Sequence, residues 1–157
     1  MDSYFINQKV PIAMSAKPPF LNIRLRAIAQ ATEVEERVEA AMLFVSGMEE
    51  VPASRIEGHF GNSITIFEIE LSRARDMKKF LQILKDAGLL APLIEKIEQR
   101  LDDNCVFHFR LDKQKAYAEE LAIANSKDII DVNMKVAAYP ARREIALEAV
   151  LDWFKEF

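Results

Sequence analysis

Between Arg100 and Tyr117 the chain sets His108, Arg110, Lys113, Gln114 and Lys115 into a stretch that alternates apolar and polar residues and ends in the polar cluster Asp112-Lys113-Gln114-Lys115. Guanidinium and ammonium groups held on one side of such a stretch grip phosphate oxygens, and guanidinium planes also stack on bases. The alternation is what would aim them. Successive side chains of a strand point to opposite faces, so Cys105, Phe107, Phe109 and Leu111 would enter a core while His108 and Arg110 face away from it.

Two other segments have the same phase. From Phe20 onward Leu21, Ile23, Leu25 and Ala27 alternate with Asn22, Arg24 and Arg26, and later Ile130, Val132, Met134, Val136 and Ala138 alternate with Asp131, Asn133, Lys135 and Tyr139. One sheet holding all three strands would gather Arg24, Arg26, His108, Arg110, Lys135 and Tyr139 on its uncovered face. That face suits RNA. The same phases bring Glu68, Glu70 and Asp131 there too, and cross-strand ion pairing would then cancel much of the field.

The remaining elements must build and cover that sheet. Thr32 with Glu35 has capping-box spacing, and a helix stripe follows at Val34, Val38, Ala41, Met42 and Val45, with Gly47 placed to end it. Residues 53 to 60 and 63 to 71 read as two strands joined through Gly58-His59-Phe60-Gly61-Asn62, with Ile64 and Ile66 out of phase, as a bulge or an outward apolar pair requires. Two helices come next, one on Met77, Phe80, Leu81 and Leu84, the other on Leu90, Leu93, Ile94, Ile97 and Leu101, separated by Gly88. Pro140 opens a final helix with its stripe on Ile145, Ala146, Ala149, Val150 and Trp153. The fold class is α+β, an antiparallel or mixed sheet with helices packed on one face.

At 157 residues and 50% hydrophobic, the chain suffices for one buried core, expected over residues 19 to 157 behind an irregular N-terminal arm at 1 to 18. A net charge of -4 means that any polyanion site is a local patch. The single Cys105 cannot form an internal disulfide and sits among apolar neighbours, which suits a reducing compartment. No apolar run reaches the roughly 20 residues of a membrane span, and no secretory signal opens the chain, so a cytoplasmic location is expected.

Catalysis has little to work with. Asp102, Asp103, His59 and His108 could furnish a metal-dependent nuclease site, but adjacent aspartates diverge on regular structure, and with Asn104 they read as a turn. Two histidines and one cysteine do not build a typical structural zinc site without several carboxylates, and no phosphate-binding glycine loop or nucleophile elbow is present. Neither catalytic nor metal-ligating residues are assigned, and no cofactor is expected. The competing class is a protein-interaction or homodimerisation module, in which outward Ile64 and Ile66, or Trp153, Phe154 and Phe157, meet a partner or a second copy.

Glu57-Gly58-His59-Phe60-Gly61-Asn62 and Arg110-Leu111-Asp112-Lys113-Gln114-Lys115-Ala116-Tyr117 together resemble the two signatures of an archaeal family of predicted RNA-binding proteins, often described as predicted exosome subunits. The Ala31-Thr32-Glu33 turn and the strand and helix around it, residues 22 to 45, fit as well, and the resemblance spans roughly residues 20 to 139. It implies RNA and RNA-processing proteins as partners, no catalytic residues, and a fold similar to the large-subunit ribosomal protein that holds the small ribosomal RNA. The matched positions are Gly58, His59, Gly61 and Asn62, then Arg110, Asp112, Lys113, Gln114 and Tyr117. Of these, the glycines suit turn geometry, Asp112 a helix cap, Lys113 and Gln114 phosphate or sugar contacts, and Tyr117 a half-buried anchor or a stacking platform.

Overall fold

The structure, a computed structural model, describes residues 17–58 and 61–157. Strand β1 (Phe20–Ala29) leads into helix α1 (Glu35–Ser46), then β2 (Ala53–Glu57) and β3 (Ser63–Leu71) form a hairpin. Helices α2 (Ala74–Asp86), α3 (Leu90–Glu95) and α4 (Ile97–Arg100) follow, then β4 (Val106–Asp112), α5 (Lys113–Tyr117), β5 (Ile129–Val136) and α6 (Arg143–Phe154). The five strands make one wholly antiparallel sheet in the order β2-β3-β1-β5-β4. With the six helices among the described residues, this is an α+β fold.

Alternation decides which face is covered. Ile23, Leu25, Ala27, Phe67, Ile69, Phe107, Phe109, Val132 and Met134 are buried in one cluster with helix residues Met42, Val45, Phe80, Leu84, Val150 and Trp153. Each fully buried Leu, Ile or Phe contributes about 1.5–3 kcal/mol, so the helices hold to this face and leave the other open. Among the described residues no helix is long and apolar enough to cross a membrane.

Several local expectations change. Leu21 is 41% exposed and Phe20 takes the inward place, because the β1–β5 register shifts between Phe20 and Asn22. The capping box at Thr32 does not form. Val34 stands at the helix start without a side-chain cap, and Glu35 turns outward to accept from Arg55 Nη2 at 2.7 Å and Thr65 Oγ1 at 2.8 Å. Those bonds hold the Glu35 carboxyl below its usual range. The β3 strand has no bulge at its start; Thr65 is buried in phase with Phe67, and Ile64 and Ile66 are the outward pair.

The expected long helix ending at Leu101 divides at Lys96, and Leu101 leaves it to bridge Phe107 while Asp102 N donates to Val106 O at 3.0 Å. Pro140 precedes α6 without belonging to it. The helix begins at Arg143, whose guanidinium donates to Leu101 O and Glu98 O at 3.1 and 2.6 Å and so ties its first turn to the end of α4. The first sixteen residues of the arm, with His59 and Phe60, lie outside the described residues.

Candidate nucleic-acid interface

The open face is an ordered set of charge rows. Register places Glu68, Arg26, Asp131 and Arg110 side by side across β3, β1, β5 and β4, with Glu70, Arg24, Asn133 and His108 in the next row. Opposite charges alternate along the first row. Arg24 Nε lies 3.3 Å from Glu70 Oε1 and Arg110 Nε 3.7 Å from Asp131 Oδ1, all four side chains being well exposed. Such exposed pairs are worth at most about 1 kcal/mol each, so a phosphate can compete for either guanidinium. Arg26 has no ion pair among the described residues.

His108 is pinned at both ring nitrogens. Its Nε2–H donates to Asp102 Oδ2 at 2.7 Å, and Nδ1 meets the side-chain amide oxygen of Asn133 at 2.5 Å. Asp102 is itself fixed, because its Oδ1 accepts from the backbone N–H groups of Asn104 and Val106 at 2.8 and 3.0 Å. Burial pushes its carboxyl up, but the bonds from His108, Val106 and Asn104 outweigh that and hold it below the usual range. The turn at Asp102-Asp103-Asn104 is therefore real, and it doubles as the anchor of the imidazole. Lys135 Nζ closes the same corner, donating to Asn104 O at 2.6 Å. Around His108 and Arg110 lies an open groove of about 640 Å³, also lined by Arg100, Asp131 and Ile123. Of the nuclease constellation, Asp102 and His108 are bonded to each other, and His59 lies outside the described residues. Among the described residues no group of three or more His, Cys, Asp or Glu could hold a metal ion.

Lys113 is not a surface group. It is 4% exposed, and its ammonium donates to Ile28 O at 2.7 Å and pairs with Glu33 and Asp128 at 2.9 and 2.8 Å. An ammonium surrounded by three oxygens has no donor left for phosphate, so this sequence-expected RNA contact is a structural clamp. Gln114 is exposed and donates to Asp128 Oδ2 at 2.7 Å. Asp112 caps α5, accepting from Lys115 N at 2.9 Å. Tyr139 lies three residues beyond β5 and is 78% exposed, so it stands off the sheet rather than in a row of it.

Sequence reasoning missed Glu33 and Asp128 as partners of Lys113, and Arg37, whose guanidinium lies 5.0 Å from the Tyr117 ring centroid. No periodicity signals contacts between elements so far apart along the chain. What could have hinted at them is only that a lysine directly after a capping aspartate, at the end of a buried strand, must find carboxylates or point to solvent.

A family model described as RNA binding matches residues 22–136, the span of the sheet. The chain belongs to this RNA-binding family. Its similarity extends to the RNA-binding protein PAB1135 of Pyrococcus abyssi, 35% identical over 153 residues, covering 90% of this chain and 98% of that protein. Among solved structures of archaeal proteins, AF2318 from Archaeglobus fulgidus is 31% identical with a TM-score of 0.74, covering 85% of this chain and 99% of that one. Mth689 from Methanothermobacter thermautotrophicus, a DUF54 protein, is 32% identical with a TM-score of 0.71, covering 85% and 97%. These similarities thus extend over most of the chain and are not confined to an isolated motif.

Proposed function

We propose that the chain is a non-catalytic, cytoplasmic RNA-binding protein whose contact surface is the open face of the sheet. The observation that carries this reading is the coincidence of the family match with the five strands, whose uncovered side presents Arg24, Arg26, His108, Arg110 and Lys135. Rows of guanidinium groups alternating with carboxylates favour an extended phosphate backbone over a compact anion, since each phosphate must displace one modest ion pair. The acidic members of the rows also restrain non-specific attraction, in keeping with the net charge of -4.

Fluorescence-anisotropy titration of single-stranded and structured RNAs at two salt concentrations, with duplex DNA as control, tests this reading. Salt-dependent affinity selective for RNA is expected, falling by tenfold or more in the triple variant Arg24→Gln, Arg26→Gln, Arg110→Gln. Affinity that survives the triple change would overturn the sheet-face assignment.

A second reading has its own observation. Ile28 and Ile66 are register partners, as are Ile56 and Ile64, so four isoleucines collect at the β2 corner of the open face, with Ile56 47% exposed. An apolar corner beside charged rows suits a partner protein of an RNA-processing assembly such as the exosome, or a second copy of the chain. Salt-tolerant association abolished by Ile56→Glu would support it. The C-terminal aromatics do not serve this reading: Trp153 is 5% exposed, and its ring packs on Phe154 and Phe157 at 5.0 and 4.7 Å.

A further inference from the structure

Among the described residues the open face carries no Phe, Tyr or Trp, so an RNA lying on them has phosphate contacts and no ring to stack on. An aromatic platform stands instead at the end of the sheet where β4 runs into α5. Tyr117 is 42% exposed there, with the Arg37 guanidinium 5.0 Å from its ring centroid. The two residues line a pocket of about 240 Å³ together with Thr32, Val34, Val38 and Gln114. That volume is below the roughly 300 Å³ at which sites for drug-sized molecules begin, and it suits one planar ring system.

Resting on the RNA-binding reading above, we propose that this pocket receives a single unpaired base of the bound RNA, stacked against the Tyr117–Arg37 pair. The chemistry of the walls selects a base over a bare phosphate. Lys113, which also lines the pocket, is already matched by Glu33 and Asp128, leaving Arg37 as the one cation there without an ion pair among the described residues. Val34 and Val38 supply apolar sides, and Tyr117 and Arg37 supply flat ones. Hydrogen-bonding capacity is also in hand. The Thr32 hydroxyl has no hydrogen-bond partner among the described residues, and Gln114 spends its amide N–H on Asp128 while keeping its carbonyl oxygen.

The pocket also lies on a route from the open face. Asp131 lines both the groove beside Arg110 and a smaller hollow beside Arg26, and Glu33 and Lys113 line both that hollow and the Tyr117 pocket. A backbone gripped at Arg110 and Arg26 is thereby led towards Tyr117. The Glu33–Lys113–Asp128 clamp holds the walls between them, which gives the motif around Lys113 a positioning role.

The test compares two labelled RNA hairpins, one with a single bulged nucleotide and one fully paired, by anisotropy on the full chain and its variants. The intact protein is expected to prefer the bulged hairpin by at least about fivefold, the lower end of what one base–aromatic stack contributes. Tyr117→Phe should keep the preference, and Tyr117→Ala should erase it with affinity for the paired hairpin unchanged. Arg37→Met leaves the tyrosine in place and serves as an independent variant, expected to lower the preference at least twofold. Adenosine and uridine monophosphates distinguish the source of the base: competition only at millimolar concentration assigns it to RNA, whereas micromolar competition lost in Tyr117→Ala would make a free nucleotide the ligand and overturn the proposal. Equal affinity for the two hairpins, or a preference that persists in Tyr117→Ala, would overturn it while leaving the sheet-face reading intact. Failure of both hairpins to bind would overturn this inference, and if the single-stranded RNAs also fail to bind, the sheet-face reading falls with it.

Discussion

Lys113 Nζ sits 2.9 Å from Glu33 Oε2, joining residues 80 positions apart in the chain and locking the turn after β1 to the end of β4. Asp128, 2.8 Å from the same nitrogen, brings the start of β5 into the clamp. Replacing Lys113 with Met leaves two carboxylates and the Ile28 carbonyl without their shared donor. Removing one partner of a fully buried pair costs about 3–5 kcal/mol, and because Glu33 and Asp128 are only partly buried here about 2 kcal/mol is expected from urea unfolding. A loss under about 0.5 kcal/mol, the range of ordinary surface substitutions, would show that the clamp adds nothing to folding.

The pH dependence of stability follows from Asp128 and Asp102. Burial raises the Asp128 carboxyl, but hydrogen bonds from Lys113 and Gln114 and the Lys113 charge hold it below its ordinary value, as the Asp102 bonds do for that residue. A depressed carboxylate binds fewer protons folded than unfolded, so its contribution is complete above the unfolded value of about 3.9 and is lost as pH falls through the lower folded value. The stability gap between the protein and Asp128→Asn should therefore be constant from about pH 5 to 7 and shrink below about pH 4. A gap unchanged at pH 3 would contradict this account.

Arg26 and the acidic members of its row should act on RNA in opposite directions. Because Arg26 has no ion pair among the described residues, Arg26→Gln should weaken RNA binding with little effect on folding, and reduce the salt slope by about 0.7 if it holds one phosphate of a single strand. Glu68→Gln with Glu70→Gln removes the flanking negative charge and should tighten binding several-fold, at the expense of RNA-over-DNA selectivity. Titrations across a salt series measure both. Unchanged affinity in the double glutamate variant would mean that RNA does not approach this face.

Gly47 and Gly88 separate backbone strain from crowding. Both have positive φ, 73° and 75°, where an added Cβ costs about 1–2 kcal/mol. At Gly47 a Cβ would also come within 2.9 Å of Ile83 Cδ1, whereas at Gly88 it meets nothing within 4 Å. Gly47→Ala should therefore destabilise more than Gly88→Ala in thermal or urea melts. Equal losses would mean that the Ile83 side chain moves aside freely.

Much of the frame was legible because it obeys short periods. The inward Phe107, Phe109 and Leu111, the outward Arg24, Arg26, His108 and Arg110, the α1 stripe from Val38 to Val45, though not the exposed Val34 before it, the helix end at Gly47, and the Asp112 cap each depend on residues within a few positions of one another. The errors fell where a distant partner outbid the local signal. Glu35 left its capping role for Arg55 and Thr65, Leu101 left its helix for Phe107, and Leu21 yielded the inside to Phe20 through a register shift with β5.

The amino-acid sequence by itself determined the class of the fold and which side chains share a face, because alternation and helical spacing follow from backbone geometry alone. Tertiary structure decided what those side chains do there. Only strand order makes Arg26 the neighbour of both Glu68 and Asp131, and so sets the cations and carboxylates of that face into alternating rows. Only the meeting of three strand ends buries Lys113 among carboxylates and sets Arg37 over Tyr117. Electrostatic and stacking interactions act over a few ångströms of space, whatever their separation along the chain, and the fold alone fixes those distances.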